Sequence, residues 1–158
     1  TDPTSGKEYA LMGLNNGTSF IDISDLEFPR IVGFLPTHTI NSSWRDIKTY
    51  GNYAFIVSEA SGHGMQIFDL TKLRNISANQ APETFISDAH YDGFGNAHNI
   101  VINKAQGYAY AVGTNTYSGG PHFIDISNPL TPVAAGGYGE DAYSHDAQVV
   151  TYNGPNND

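Results

Sequence analysis

The chain of 158 residues contains no cysteine, which excludes disulfide bonds, thiolate zinc sites and cysteine nucleophiles. Basic residues are also scarce, with 7 Lys and Arg against 16 Asp and Glu and a net charge of −9. So few cations offer no phosphate-binding surface, and we therefore expect neither nucleic acid nor an anionic membrane as a partner. No apolar run approaches the length of a membrane span, and we expect no direct membrane insertion by this segment.

Three kinds of short segment recur along the chain in the same order. The string FIDIS occurs at residues 20–24 and 123–127, and IFDLT at 67–71 is a degenerate copy. A segment that starts with Tyr-Ala precedes each copy, at residues 9, 53 and 108. A third series lies farther upstream, with WRDI at 44–47, AHNI at 97–100 and SHDA at 144–147. This order indicates a repeat unit of about 50 residues, the spacing of known blade repeats.

The segments are rich in β-branched and aromatic residues and are bounded by Gly, Asn, Asp or Pro, which is typical of strands. Units of four strands at this period predict an all-β chain that forms a β-propeller, with about three four-stranded blades present. We place the blade boundaries near 1–43, 44–96 and 97–143, and we expect residues 144–158 to begin the next blade. A single helical turn is expected at 69–74.

Propellers close with roughly four to eight blades, so we expect this ring to be incomplete. The chain is then a fragment of a longer propeller, which we favour, or its ring is completed by other chains. In either case the Tyr9 sheet or the strand at 145–152 is expected to pair with residues outside the three blades, because an open edge invites pairing.

The repeat predicts that all six histidines lie near one face of the blades, which we call the top, and that His98 and His145 lie near the mouth of the central channel. At the heads of the inner strands stand three matched pairs of polar residues: Arg45 and Asp46, His98 and Asn99, and His145 and Asp146. Three interpretations remain open. These residues seal neighbouring blades by hydrogen bonds, or His98 and His145 bind a divalent metal, or the group binds an anion with Arg45. If a metal binds, we expect Arg45 to pair with Asp46 or an anion.

Two further features of the sequence suggest ligands or modification. The acidic stretch 88–93 is either a calcium site or an exposed acidic turn, and it lacks most positions of an EF-hand loop. The sequons at Asn16, Asn41 and Asn75 are candidate glycosylation sites if the protein is secreted by a eukaryote.

The pattern FIDIS-[DN]-x-x-x-P resembles the LVIVD repeat of extracellular propellers. The stretches WRDIKTYGNYAFIVSEASGHGMQIFDL, FGNAHNIVINKAQGYAYAVGTNT and SHDAQVVTYNGP resemble the choice-of-anchor B family. This resemblance implies a secreted or surface-attached propeller with a signal peptide before Thr1 and further blades after Asp158. It implies no established activity.

Three functions follow as hypotheses, since propellers serve all of them. The first is a secreted or cell-surface scaffold that binds a protein or glycan ligand. The alternative is a metal-dependent enzyme with a histidine-lined site at the top of the channel, whose cofactor is zinc, another transition metal or calcium. The third is a structural part of an extracellular assembly that partner chains complete.

Overall fold

A computed structural model describes residues 1–80, 82–141, 143–152 and 154, and it is an all-β structure. In chain order its strands are β1 (Tyr9–Leu14), β2 (Gly17–Asp22), β3 (Arg30–Pro36), β4 (Arg45–Tyr50), β5 (Tyr53–Ser58), β6 (Met65–Asp69), β7 (Glu83–Thr84), β8 (Ala89–Tyr91), β9 (Asn99–Asn103), β10 (Tyr108–Val112), β11 (His122–Asp125) and β12 (Val133–Gly137).

The strands form three four-stranded sheets with the orders β1-β2-β3-β7, β4-β5-β6-β8 and β9-β10-β11-β12. The Tyr-Ala segments form β1, β5 and β10, and each pairs antiparallel with the strand of the FIDIS type that follows it. Within the described residues none of the sheets closes on itself. The predicted fold class, an incomplete set of propeller-like blades, is therefore confirmed.

Aspartate ends the FIDIS-type strand in every repeat. The carboxylates of Asp22, Asp69 and Asp125 accept hydrogen bonds from the backbone N–H groups two residues further on, at 2.9–3.0 Å. Such Asx turns satisfy backbone donors where the ladder stops. These three aspartates are thus structural residues of the turns.

Helical structure is confined to short 3₁₀ segments in the described part of the chain. One spans Leu70–Asn75, where a single turn was expected, and Asp69 caps its N-terminus. The other spans Tyr117–Gly119. No described helix has the length and apolar character needed to cross a membrane.

The sequence analysis did not predict β7 and β8. β8 completes the second sheet beside β6, whereas β7 pairs in parallel with β3 of the first sheet. The side chain that follows β7, Phe85, packs directly on Gly33, where an added Cβ would lie 2.4 Å from the ring. The connection from β6 to β8 thus fastens the second repeat to the first sheet.

Two hydrophobic clusters lie between successive sheets. Phe20 of the first sheet stacks on Phe68 of the second, with ring centroids 4.5 Å apart. Between the second and third sheets, Phe55 and Ile67 pack with Ile100 and Ile124, and all four are fully buried. The sheets therefore pack face to face, as the blades of a propeller do.

The inner strands β4 and β9 are neighbours, and the segment at 145–152 lies beside β9. The side chain of Asn99 donates to the carbonyl oxygen of His145 at 3.0 Å, and that of Asn103 to the hydroxyl oxygen of Thr151 at 3.4 Å. This segment forms no strand, although it takes the place expected for the next inner strand. The rest of that predicted strand, at 153 and 155–158, falls outside the described residues.

Candidate functional site

In two of the three polar pairs, the second residue links neighbouring inner strands. Asp46 accepts a hydrogen bond from the backbone N–H of Ile100 at 3.0 Å, and Asn99 reaches the carbonyl oxygen of His145. Asp46 also forms an ion pair with Lys48 at 2.6 Å rather than with Arg45. Asp146 accepts from the N–H of Ala147 at 2.8 Å. These contacts support a sealing role for Asp46 and Asn99.

Arg45 points into the boundary between the first two sheets. Its guanidinium lies 2.8 Å from Nε2 of His63, donates to the hydroxyl of Thr37 at 2.9 Å and to the carbonyl of Leu14 at 3.2 Å. Burial lowers the pKa of Arg45 from its usual value, but a guanidinium keeps its proton in proteins. Arg45 is therefore a fixed cation within a hydrogen-bond network.

His63 is the buried partner of that cation. Its Nδ1 donates to the carbonyl oxygen of Gly64 at 3.0 Å, so Nε2 of the neutral ring accepts from Arg45. Burial, together with the charge of Arg45, lowers the pKa of His63 to about 4. His90 donates to the carbonyl of His63 at 2.7 Å and stacks on His38, with centroids 3.7 Å apart. Burial and the neighbouring His90 lower the pKa of His38.

His98 belongs to a separate group of side chains. Its Nδ1 lies 2.7 Å from the Glu59 carboxylate, and the indole of Trp44 stacks on its ring at 4.3 Å with an interplanar angle of 9°. Trp44 also donates from its indole N–H to the carbonyl of His98 at 2.6 Å. The ring of His145 lies 4.1 Å away on a plane tilted by 53°. His98 is only 7% exposed, and its Nε2 has no hydrogen-bond partner among the described residues.

The matched residues at the strand heads thus divide between two places. His98 and His145 are adjacent, whereas Arg45 is engaged by His63. Sequence reasoning did not place Glu59 or Trp44 beside His98. Trp44 immediately precedes β4, and Glu59 immediately follows β5 of the same repeat. Glu59 is 39 residues and Trp44 is 54 residues from His98 in sequence, so only the stacking of the sheets brings them to His98.

His122 takes part in a third, internal network. The hydroxyl of Tyr91 donates to its Nε2 at 2.7 Å, and its Nδ1 lies 2.9 Å from the hydroxyl of Thr116. Burial lowers the pKa of His122. Both ring nitrogens are satisfied within the protein, which gives His122 a structural role.

The other candidate sites have the following surroundings. Asp88 of the acidic stretch pairs with Lys72 and accepts from the N–H of Asp69 at 2.8 Å. Within the described ranges no group of three or more His, Cys, Asp or Glu is arranged to hold a metal ion. The asparagines of the three sequons, Asn16, Asn41 and Asn75, are exposed.

Exposed aromatic side chains lie at the top of the second and third sheets. Tyr117, Tyr138 and Tyr143 are 39%, 43% and 54% exposed, and Trp44 beside His98 is 40% exposed. We call these four residues the aromatic rim. Tyr117 and Ser118 have φ angles of 48° and 55°, in the left-handed region that non-glycine residues rarely adopt. The Tyr117 ring lies against Gly137, where an added Cβ would come within 2.3 Å of it.

The comparisons with known proteins identify one repeat. The family model of the LVIVD repeat matches residues 43–69, which contain β4, β5 and β6. No curated protein matches the chain. The suspected LVIVD resemblance is thereby confirmed over these residues. Together with the three stacked sheets, it indicates a repeat scaffold built of propeller-like blades.

Proposed function

We propose that this chain is part of a propeller scaffold at the cell surface or outside the cell, and that it binds a protein or glycan ligand at the aromatic rim. The observation that carries the proposal is the rim itself: four large aromatic side chains, each 39–54% exposed, at the top of the blades. Further blades, from the same or another chain, complete the ring.

The chemistry of the rim suits recognition. Tyrosine and tryptophan combine a large apolar face with a polar group, and they lose little conformational entropy when a ligand orders them. Tyr143 is held at the rim by the backbone, because the N–H of Ser144 donates to the carbonyl of Gly119 at 3.0 Å. The hydroxyl of Tyr138 donates to Asp141 at 2.9 Å. The aromatic faces are thus pre-organised before a ligand arrives, which reduces the cost of binding.

Panels of glycans and of extracellular proteins, screened with the 158-residue chain, test this proposal. We expect a ligand whose affinity falls about tenfold or more in Tyr143→Ala, the loss typical of a central aromatic contact. Leu26→Ala is the matched control, because Leu26 is 86% exposed in the bend after β2, at the opposite end of the blades. A ligand that binds Tyr143→Ala as well as the unmodified chain, or two panels without a ligand, would contradict the proposal.

The metal-dependent enzyme is a second candidate because of the contact between Glu59 and His98. A carboxylate that orients an imidazole is the arrangement found in both metal centres and general bases. Turnover that requires Glu59 would favour this candidate over a scaffold.

A further inference from the structure

We propose that the aromatic rim binds a basic segment of a protein partner, whose arginine or lysine side chains lie on the aromatic faces and pair with the carboxylates beside them. This inference rests on the proposed function, because it names the class of ligand for the same rim. Two kinds of observation support it: how the rim residues lie together, and which charges surround them.

The rim residues lie close enough to form one surface. Trp44 and Tyr143 both approach His98, with ring centroids 4.3 and 6.5 Å from that of the histidine. Tyr143 also lies over Gly119, where an added Cβ would come within 2.8 Å of its ring. Gly119 belongs to the short 3₁₀ segment that begins at Tyr117. A ligand can therefore contact more than one aromatic face at once.

Exposed carboxylates accompany the aromatic side chains. The carboxylate of Glu59 lies 2.7 Å from Nδ1 of His98, whose ring stacks on Trp44. The carboxylate of Asp141 accepts a hydrogen bond from the hydroxyl of Tyr138 at 2.9 Å. Both acidic residues are exposed. Two aromatic residues of the rim thus each have an anion close by.

Basic residues are scarce at this end of the blades. Among the residues that the structure describes, Arg45 is the single Lys or Arg at the head of a strand at the top, and its guanidinium is engaged by His63. Other cations lie at the opposite end, where they pair with aspartates: Lys7, Arg30, Lys72 and Arg74. Over the described ranges, four exposed carboxylates at the top form no ion pair with Lys or Arg: Glu59, Asp92, Glu140 and Asp141.

The histidines at the top do not reverse this balance at neutral pH. Burial lowers the pKa of His38, His63 and His122, so these three rings stay uncharged. An imidazole with its ordinary pKa, about 6.5, is also mostly neutral at pH 7. The top therefore presents negative charge to a ligand, and complementary charge guides association and selects partners.

This combination of rings and carboxylates favours a basic peptide over a neutral glycan. A sugar ring can stack on the aromatic faces, but it leaves the carboxylates without a counter-ion. A guanidinium can lie on an aromatic face and pair with a carboxylate at the same time. Arginine is therefore the side chain that best fits both features of the rim.

Fluorescence anisotropy of a labelled peptide of alternating arginine and glycine, titrated with the 158-residue chain, tests the proposal. The matched probe carries citrulline in place of each arginine, which keeps the shape of the side chain and removes its charge. We expect the citrulline peptide to bind at least about tenfold more weakly than the arginine peptide. The comparison of the two probes needs no variant, so it stays decisive if a substitution disturbs folding.

Variants of the rim locate the binding site. The affinity for the arginine peptide should fall about tenfold in Tyr143→Ala and about tenfold in the double variant Glu59→Gln, Asp141→Asn. The matched control is the double variant Asp25→Asn, Glu27→Gln, which removes two exposed carboxylates from the bend after β2, at the opposite end. This control should bind the peptide as the unmodified chain does.

Three results would overturn the proposal. The arginine peptide does not bind, or the citrulline peptide binds as tightly, or the control variant weakens binding as much as the rim variant does. The last result would mean that the net charge of −9 attracts the peptide without a site. A neutral glycan that binds through Tyr143 would then leave the proposed function intact. If neither the peptides nor the panels of ligands bind, the proposed function fails as well.

Discussion

His63 combines full burial with direct contact to a cation. Its side chain is 0% exposed, and Nε2 lies 2.8 Å from the guanidinium of Arg45. Protonation of this ring would place a positive charge without hydration next to the positive charge of Arg45. The native structure therefore holds His63 neutral, whereas the unfolded chain exposes an ordinary imidazole to water.

We expect the protein to lose stability as the pH falls below neutrality. The pKa of His63 is lowered from 6.5 to about 4 in the folded state, so the unfolded chain binds more protons between these values. Stability is full above the unfolded pKa and declines as the pH falls towards the folded pKa. Between pH 7 and pH 5 this linkage removes about 2 kcal/mol of the free energy of unfolding, which urea denaturation at several pH values measures.

His63→Gln separates this effect from other titrations. His38 and His122 also have pKa values lowered by burial, so some decline remains in the variant. The decline between pH 7 and pH 5 should nevertheless be clearly shallower. A variant with the same pH dependence as the unmodified chain would show that His63 is not the residue responsible.

At the scale of the strand, side-chain hydrogen bonds connect successive inner strands, in place of the backbone hydrogen bonds of a β-ladder. β4 and β9 belong to different sheets, and the bond from the N–H of Ile100 to Asp46 spans the boundary between them. Asn99 repeats the link one repeat later, towards the carbonyl of His145. A short polar residue at this position therefore satisfies a backbone group of the next inner strand.

Asp46→Ala should destabilise the chain by about 1–3 kcal/mol, because it leaves the N–H of Ile100 without its acceptor. The same change also removes the partner of Lys48, but a partly exposed ion pair adds little. Thermal and urea unfolding measure the loss. Asp146→Ala is the control, since the only hydrogen bond of Asp146 in the described part of the chain comes from the adjacent Ala147. Equal losses in both variants would contradict the role given to Asp46.

Strands with a repeated sequence could be predicted, whereas the shortest strands could not. β1, β5 and β10 share the Tyr-Ala start, and their partners share the FIDIS pattern. β7 has two residues and β8 has three, too few to show any periodicity. The position of β7 depends on Phe85 packing against Gly33, a contact across 52 positions of sequence that only the folded sheets create.

The candidate site likewise contains some contacts that follow from the sequence repeat and others that do not. His98 and His145 occupy matched positions of successive repeats, and their ring centroids lie 4.1 Å apart. The repeat does not predict that Arg45 turns to His63 and Thr37, since those partners come from loops without a repeat equivalent. Nor does it predict the bond between Glu59 and His98, which depends on how two sheets stack.

At the scale of the whole molecule, the first sheet has an open side. β1 is its edge strand, and it pairs only with β2 among the described residues. Two apolar side chains of β1 are exposed, Met12 by 50% and Leu14 by 38%. A strand edge with free backbone groups beside exposed apolar side chains favours pairing with another strand. In a propeller the missing neighbour is the inner strand of the same blade.

We therefore expect the chain to self-associate or to bind further blades through β1. A charged residue on an edge strand discourages such pairing, so Met12→Lys should shift the population towards monomer. Sedimentation velocity over a range of protein concentrations measures the shift, and Leu26→Lys, at a position 86% exposed in the bend after β2, is the control. Hydrogen exchange supplies the second measurement, because pairing should protect the outward amides of β1. The expectation would be wrong if the chain stayed monomeric at every concentration, left its β1 amides unprotected and bound no further blades. The edge of β1 would then be stable without a partner.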